Sequence, residues 1–309
     1  MVLLLGILAA STAAIFIRLA YAADGSDSLG LGLVLAAVRL TVASLVVLPA
    51  WWGIRKTSLE PGAVRYAVLA GIFLGAHLAL WITSLAYTSI AASATIVTTN
   101  PIWVALILWL WRGETPARLT AVGIVVAFSG GALIAVGDAG GASAGPRPLL
   151  GDFLALLGAV TVSLYLIFGR EAQHRGMGVG SYVATAYAVG ALALLPTTLL
   201  LGSGLSGWPR EVYLYGLLLA LVPQLVGHTS FNWALRWVSP TLVALVILAE
   251  PIGSSVLGYL VFGEVPGWLV LAGAAVLLVG VACAVWGEGT KAASKREPRA
   301  CEEEALEER

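Results

Sequence analysis

Runs of about twenty apolar residues follow one another along nearly the whole chain, separated by short polar or Gly/Pro-bearing segments. The runs are continuous rather than alternating, which predicts helices and not barrel strands. Each is long enough to cross the roughly 30 Å hydrocarbon core of a bilayer. There a helix satisfies its own backbone. Ten spans are expected, at about 3–23, 31–52, 66–87, 91–111, 118–137, 151–170, 179–202, 213–235, 240–262 and 266–286. The first lacks a basic start and Arg18 interrupts its second half, so it reads as a retained helix and not as a signal peptide.

Composition agrees with this pattern. Of 309 residues, 59% are hydrophobic and 11% charged, too few charges to cover a soluble protein of this size. Net charge is zero, but its distribution is uneven. With a cytoplasmic N-terminus, the inside loops and tail carry thirteen Lys or Arg, and the outside loops carry only Arg147 and Arg210. That bias predicts both termini in the cytoplasm. Cys283 and Cys301 form no disulfide framework. The tail, 288–309, is highly charged and ends "CEEEALEER"; the stretch 138–150 is rich in Gly, Ala and Pro and reads as a linker.

The linker separates five spans from five. Shifting the chain by 150 positions aligns Pro101 with Pro251, Gly113-Glu114 with Gly263-Glu264, Pro116 with Pro266, Gly123 with Gly273 and Gly130 with Gly280. Over 85–137 there are 15 identities in 53 gapless positions. An odd number of spans inverts the second unit, so 1–137 and 151–287 are expected to be inverted-topology five-helix repeats of an all-α integral membrane protein. Such repeats typify secondary transporters, and helices broken at corresponding positions point to the site. Here these are Asn100-Pro101 and Glu250-Pro251, each about 15 Å from its helix ends.

The paired segments "TSIAASATIVTTNPIWVALILWLWRGETP" and "VSPTLVALVILAEPIGSSVLGYLVFGEVP", with "GDFLALLGAVTVSLYLIFGRE" and "LAAVRLTVASLVVLP", resemble the EamA-like drug/metabolite transporter family over about residues 3–287. The resemblance implies a cavity between the repeats, alternating access, and usually export from the cytoplasm. Family members carry amino acids, other metabolites, vitamins or organic cations.

Among candidate residues, Glu250 leads. An ionised carboxylate in hydrocarbon is costly unless it takes a proton, faces water or pairs. It is read as a proton carrier or cation-binding group. The bland alternative is a hydrogen bond to the Ile247 carbonyl, which Pro251 leaves without a donor; Asn100 before Pro101 admits the same alternative. Gln224, His228 and Asn232 recur at four-residue spacing, which stacks them on one helix face. His77 and Trp81 share a face of span three. These residues, with Trp103, Tyr165 and Ser11, are candidates to line a substrate cavity, and Pro101 and Pro251 to act as hinges. The competing reading is ordinary interhelical hydrogen bonding. Arg39 lies deep in span two and must pair or face water; Arg18 is close enough to its helix end to snorkel; anion binding by either is the lesser alternative. Trp51, Trp52, Trp208 and Trp268 read as interfacial anchors. Gly113 and Gly263 read as helix caps, with Glu114 and Glu264 entering the next helices.

No metal or other cofactor is expected, since no Cys or close carboxylate accompanies His77 and His228. No HExxH or phosphate-binding loop supports an enzyme. His228 and Ser230 are too near in sequence to share a helix face. The expected partners are the bilayer, a small-molecule substrate and protons, and no nucleic acid. A ten-helix chain can contain a whole pathway, and nothing in it speaks for an oligomeric state. The reading is a secondary transporter that exports a small metabolite such as an amino acid, with cationic drugs or quaternary amines as the alternative cargo.

Overall fold

The computed structural model describes residues 1–25, 28–56, 58–88, 90–113, 115–139, 147–200, 204–263, 268–269, 271–280, 282–284 and 286–287. Glu114, Glu264, Pro266, Cys301, most of the 138–150 linker and the 288–309 tail lie outside them. Every regular element among the described residues is helical. Among the described residues, seven helices are long and apolar enough to cross a membrane, and three shorter apolar helices accompany them. Seven of the ten expected spans fall on the long helices; the fourth, fifth and tenth coincide with the shorter ones, the fourth only from Asn100 onward.

In chain order they are α1 (Val2–Ser11) and α2 (Ala13–Asp24), then α3 (Leu29–Val47) with a 3₁₀ extension Leu48–Lys56, and α4 (Ala63–Ser84). Next come α5 (Ile90–Val97), α6 (Asn100–Arg112), α7 (Arg118–Ala139), α8 (Pro148–His174) and α9 (Val179–Leu200). Then follow α10 (Arg210–Leu219), a π-helical segment Ala220–His228, α11 (Thr229–Ala234), α12 (Pro240–Ile247) and α13 (Glu250–Phe262). The last, α14, is Leu271–Ala284.

Both polar–Pro pairs break their helices where proline chemistry requires. Pro101 and Pro251 have no N–H to give the carbonyls of Val97 and Ile247, and those two residues end α5 and α12. Across each gap the chain tightens to three-residue hydrogen bonds. Thr99 N bonds Ile96 O at 3.1 Å and Ile102 N bonds Thr99 O at 3.0 Å; Ala249 N bonds Val246 O at 3.1 Å and Ile252 N bonds Ala249 O at 3.2 Å. The downstream halves α6 and α13 then end on Gly113 and Gly263 at φ 67° and 70°, the left-handed cap that glycine adopts at least cost.

The sixth, third and seventh spans form one packed group, with α4 lying along both α8 and α9. The first span packs on the π segment, α11 and α13; α5 and α6 pack on α8, and α6 also meets α12. Small residues set the closest approaches. A side chain at Gly130 would strike the backbone of Leu277 and Gly273, and one at Gly280 the backbone of Ala127, so α7 and α14 run antiparallel in backbone contact. Lipid supplies no hydrophobic drive between helices, so such van der Waals contact carries the association. Large apolar side chains, including Leu45, Leu110, Val125, Leu192, Leu260 and Val279, cover the outside, as a lipid-facing surface requires. Trp51, Trp52 and Trp268 are exposed and Trp208 half-buried.

Candidate functional site

Where α1, α3, α4, α8, the π segment and the two broken helices converge they line a cavity of about 40 Å³. Its polar lining is Arg39, His77, Trp81, Thr98, Asn100, His228 and Glu250; Ala10, Ala13, Val97, Val162, Pro223, Phe231 and Ile247 complete it.

Arg39 is 1% exposed. Its Nε donates to Gln224 Oε1 at 2.7 Å, while Nη1 has no partner among the described residues. Gln224 owes its place to the π segment. Pro223 cannot donate to the carbonyl one α-turn back, and the wider turn absorbs that loss. The main-chain oxygen of Gln224 is held by Tyr187 Oη at 3.2 Å and Thr229 Oγ1 at 3.4 Å, and those two hydroxyls lie 3.1 Å apart. Three residues of this span, Gln224, His228 and Asn232, are expected to line the cavity from one face. Only His228 lines the cavity. Gln224 stands behind it, positioning Arg39. Asn232 is fully buried against Tyr165, its Nδ2 2.6 Å and its Oδ1 2.8 Å from the phenol oxygen, and its carbonyl accepts from Gln173 Nε2 at 2.9 Å.

The cavity's aromatic wall comes from α4 and the π segment. His77 stacks on Trp81, with ring centroids 6.0 Å apart and planes 3° from parallel. His228 stands 6.3 Å from His77, 6.1 Å from Tyr165 and 6.0 Å from Phe231, centroid to centroid. His77 Nδ1 lies 3.0 Å from Gly158 O. A carbonyl only accepts, so Nδ1 carries the proton, and in the neutral ring Nε2 is left as an acceptor.

The helix breaks supply the remaining polar groups. Asn100 is 1% exposed, and neither atom of its side-chain amide has a partner among the described residues. Its main-chain oxygen accepts from Ser163 Oγ of α8 at 3.0 Å. The corresponding oxygen of Glu250 lies 3.2 Å from Ser11 Oγ of α1, and Ser254 Oγ donates to Ser11 O at 3.1 Å. Among the described residues the side chain of the half-buried Glu250 makes no hydrogen bond to the Ile247 carbonyl. It shares the cavity with Arg39 without an ion pair between them.

Ser11, Tyr165, Asn232, Gln224 and Trp103 therefore support the cavity or lie beside it. Trp103 Nε1 is 3.3 Å from Thr99 Oγ1, tied to the break in its own helix. Arg18 lies over the Phe262 ring at 4.5 Å, remote from the cavity. Thr98, Pro223 and the apolar lining residues were not among the sequence candidates, and Arg39 figured there only as a lesser anion-binding alternative. Pro223 inside an apolar run, one residue before Gln224, was the available signal for a local widening of that helix.

Comparisons with known proteins agree with the fold. A profile of the EamA-like transporter family matches residues 1–136 and 149–286. The uncharacterized transporter YyaM of Bacillus subtilis is 24% identical over 77% of this chain and 78% of its own. A probable terminal-alkyne amino-acid exporter of Streptantibioticus cattleyicolor is 26% identical over 84% of each chain. A solved crystal structure, 19% identical, matches with a TM-score of 0.71 over 94% of this chain and 96% of the other, a likeness of fold.

Proposed function

This chain belongs to the EamA-like transporter family, and on that premise we propose that it is a secondary active transporter exporting a small metabolite, an amino acid first among candidates. It is a multi-pass membrane protein whose segments 1–137 and 151–287 act as inverted-topology repeats around the cavity, with both termini cytoplasmic. The observation that carries the reading is the buried polar cavity between two helices broken at positions 150 apart, Asn100 and Glu250.

Helix pairing supports the repeat. α4 packs on α8 as the π segment and α11 pack on α1; α5 packs on α8 as α13 and α12 pack on α1. Exchanging the two segments maps each pair onto the other. The relative named as a probable amino-acid exporter supports cargo and direction. At about 40 Å³ the cavity takes roughly three water-sized groups. The substrate-loaded form is therefore wider, and the tightened turns at Thr98–Thr99 and Leu248–Ala249 are where the halves part. Glu250 couples this motion to protons, as the one acid among the cavity-lining residues. A lone cationic drug is the weaker cargo, because Arg39 faces the same space.

Metabolite profiling of cells with and without the protein tests the function. Accumulation of one or a few small amino compounds in the medium is expected. Unchanged profiles in both medium and cytosol would overturn export.

A further inference from the structure

We propose that the cavity binds a zwitterion, a small α-amino acid whose carboxylate is held by Arg39 and whose ammonium is held by Glu250. The inference rests on the transporter reading and adds the chemistry of recognition.

Arg39 is anchored by one nitrogen and offers another. Nε is taken by Gln224 at 2.7 Å, and Nη1 is buried without a partner among the described residues. A guanidinium keeps its charge in any protein environment, and a buried cation requires an anion. Glu250 lines the same cavity, yet its carboxylate neither pairs with Arg39 nor bonds any other described side chain. Opposite charges that share a cavity without touching leave room for a ligand that carries both.

The other polar groups divide the same way. Trp81 Nε1 is a buried donor without a partner among the described residues, suited to a carboxylate. Asn100 offers both a donor and an acceptor, each without a partner among the described residues. His77, with Nδ1 committed to Gly158, keeps an acceptor nitrogen, the kind of group that an ammonium needs. Charge balance makes the choice. Arg39 and ionised Glu250 sum to zero, and a zwitterion preserves that sum. A monocation or monoanion leaves one unit of charge uncompensated in a low dielectric. The apolar share of the lining, including Ala13, Val97, Val162 and Ile247, suits a short apolar side chain.

The test is counterflow in proteoliposomes of the purified full chain, with a panel of radiolabelled amino acids including L-alanine. The label is competed with L-alanine, with alaninamide, which is a monocation, and with N-acetylalanine, which is a monoanion. In the wild type each one-headed analogue should compete at least about tenfold more weakly than alanine, since each leaves a buried charge unpartnered. Glu250→Gln should abolish alanine's advantage over N-acetylalanine, and Arg39→Gln its advantage over alaninamide. Exchange in which either analogue competes as well as alanine would overturn the two-headed site and leave the transporter reading standing. No exchange of any amino acid, by protein that elutes as a single folded species, would overturn the zwitterion site and the amino-acid cargo alike. The wild-type series needs no variant, so misfolding of a substituted chain does not obscure the result.

Discussion

Arg39 Nε donates to Gln224 Oε1 at 2.7 Å, joining two spans whose residues stand 185 positions apart. Gln224→Leu keeps similar volume and strands the guanidinium. Loss of about 1–3 kcal/mol of stability is expected, the cost of leaving a buried charged donor unpaired, together with loss of transport. A thermal melt in detergent measures the first and counterflow the second. Unchanged melting would mean that this bond is not holding Arg39.

Ser11 and Gly253 are in contact where α1 crosses α13. A Cβ at position 253 would collide with Ser11 Oγ and Cβ, so Gly253→Ala should cost about 1–3 kcal/mol by overpacking. Ser11→Gly removes both obstructing atoms. The double variant should be more stable than the sum of the single effects predicts, as coupled neighbours are. Additive melting shifts would show that the two helices already relax apart.

Pro101 and Pro251 each withhold a hydrogen bond from a helix of the same chain. Pro251→Ala restores a donor for Ile247 O and should raise the melting temperature while slowing exchange several-fold. Pro101→Ala should act likewise at Val97. Faster exchange in either variant would argue that the breaks are static supports and not hinges.

Glu250→Gln retains size and removes the charge. If Glu250 carries the proton, imposed pH gradients should no longer drive substrate uptake into proteoliposomes, while counterflow, which needs no gradient, persists at reduced affinity. Gradient-driven uptake equal to that of the wild type would remove Glu250 from coupling.

At the interface of α7 and α14, Gly130→Leu drives a side chain into the backbone of Leu277 and Gly273. Loss of folded protein is expected, with Ala127→Leu, facing Gly280, behaving the same way. Fluorescence-detected size-exclusion chromatography reads both, and a monodisperse peak from either would contradict the close crossing.

Much of this architecture was legible along the chain. Apolar runs marked the helices, and Pro after Asn100 and Glu250 marked the breaks, because both properties are local. Hydropathy sets which segments leave water, and a missing N–H acts one turn away. The candidate site was legible only in part. Asn100, Glu250, His77, Trp81 and His228 share the cavity. Gln224 and Asn232 do not, because their side chains are spent on Arg39 and on Tyr165.

The sequence by itself determined where the apolar helices run, where they break, and that the breaks recur 150 residues apart. Only the tertiary structure decided that Arg39 and Glu250 share a cavity without pairing, that Gln224 positions the first, and that Ser11 tethers the helix carrying the second. The reason is physical. Spans and breaks follow from hydration and covalent geometry within a few residues. Which buried polar groups meet depends on how helices pack, and small residues far apart in sequence set that packing through backbone contact.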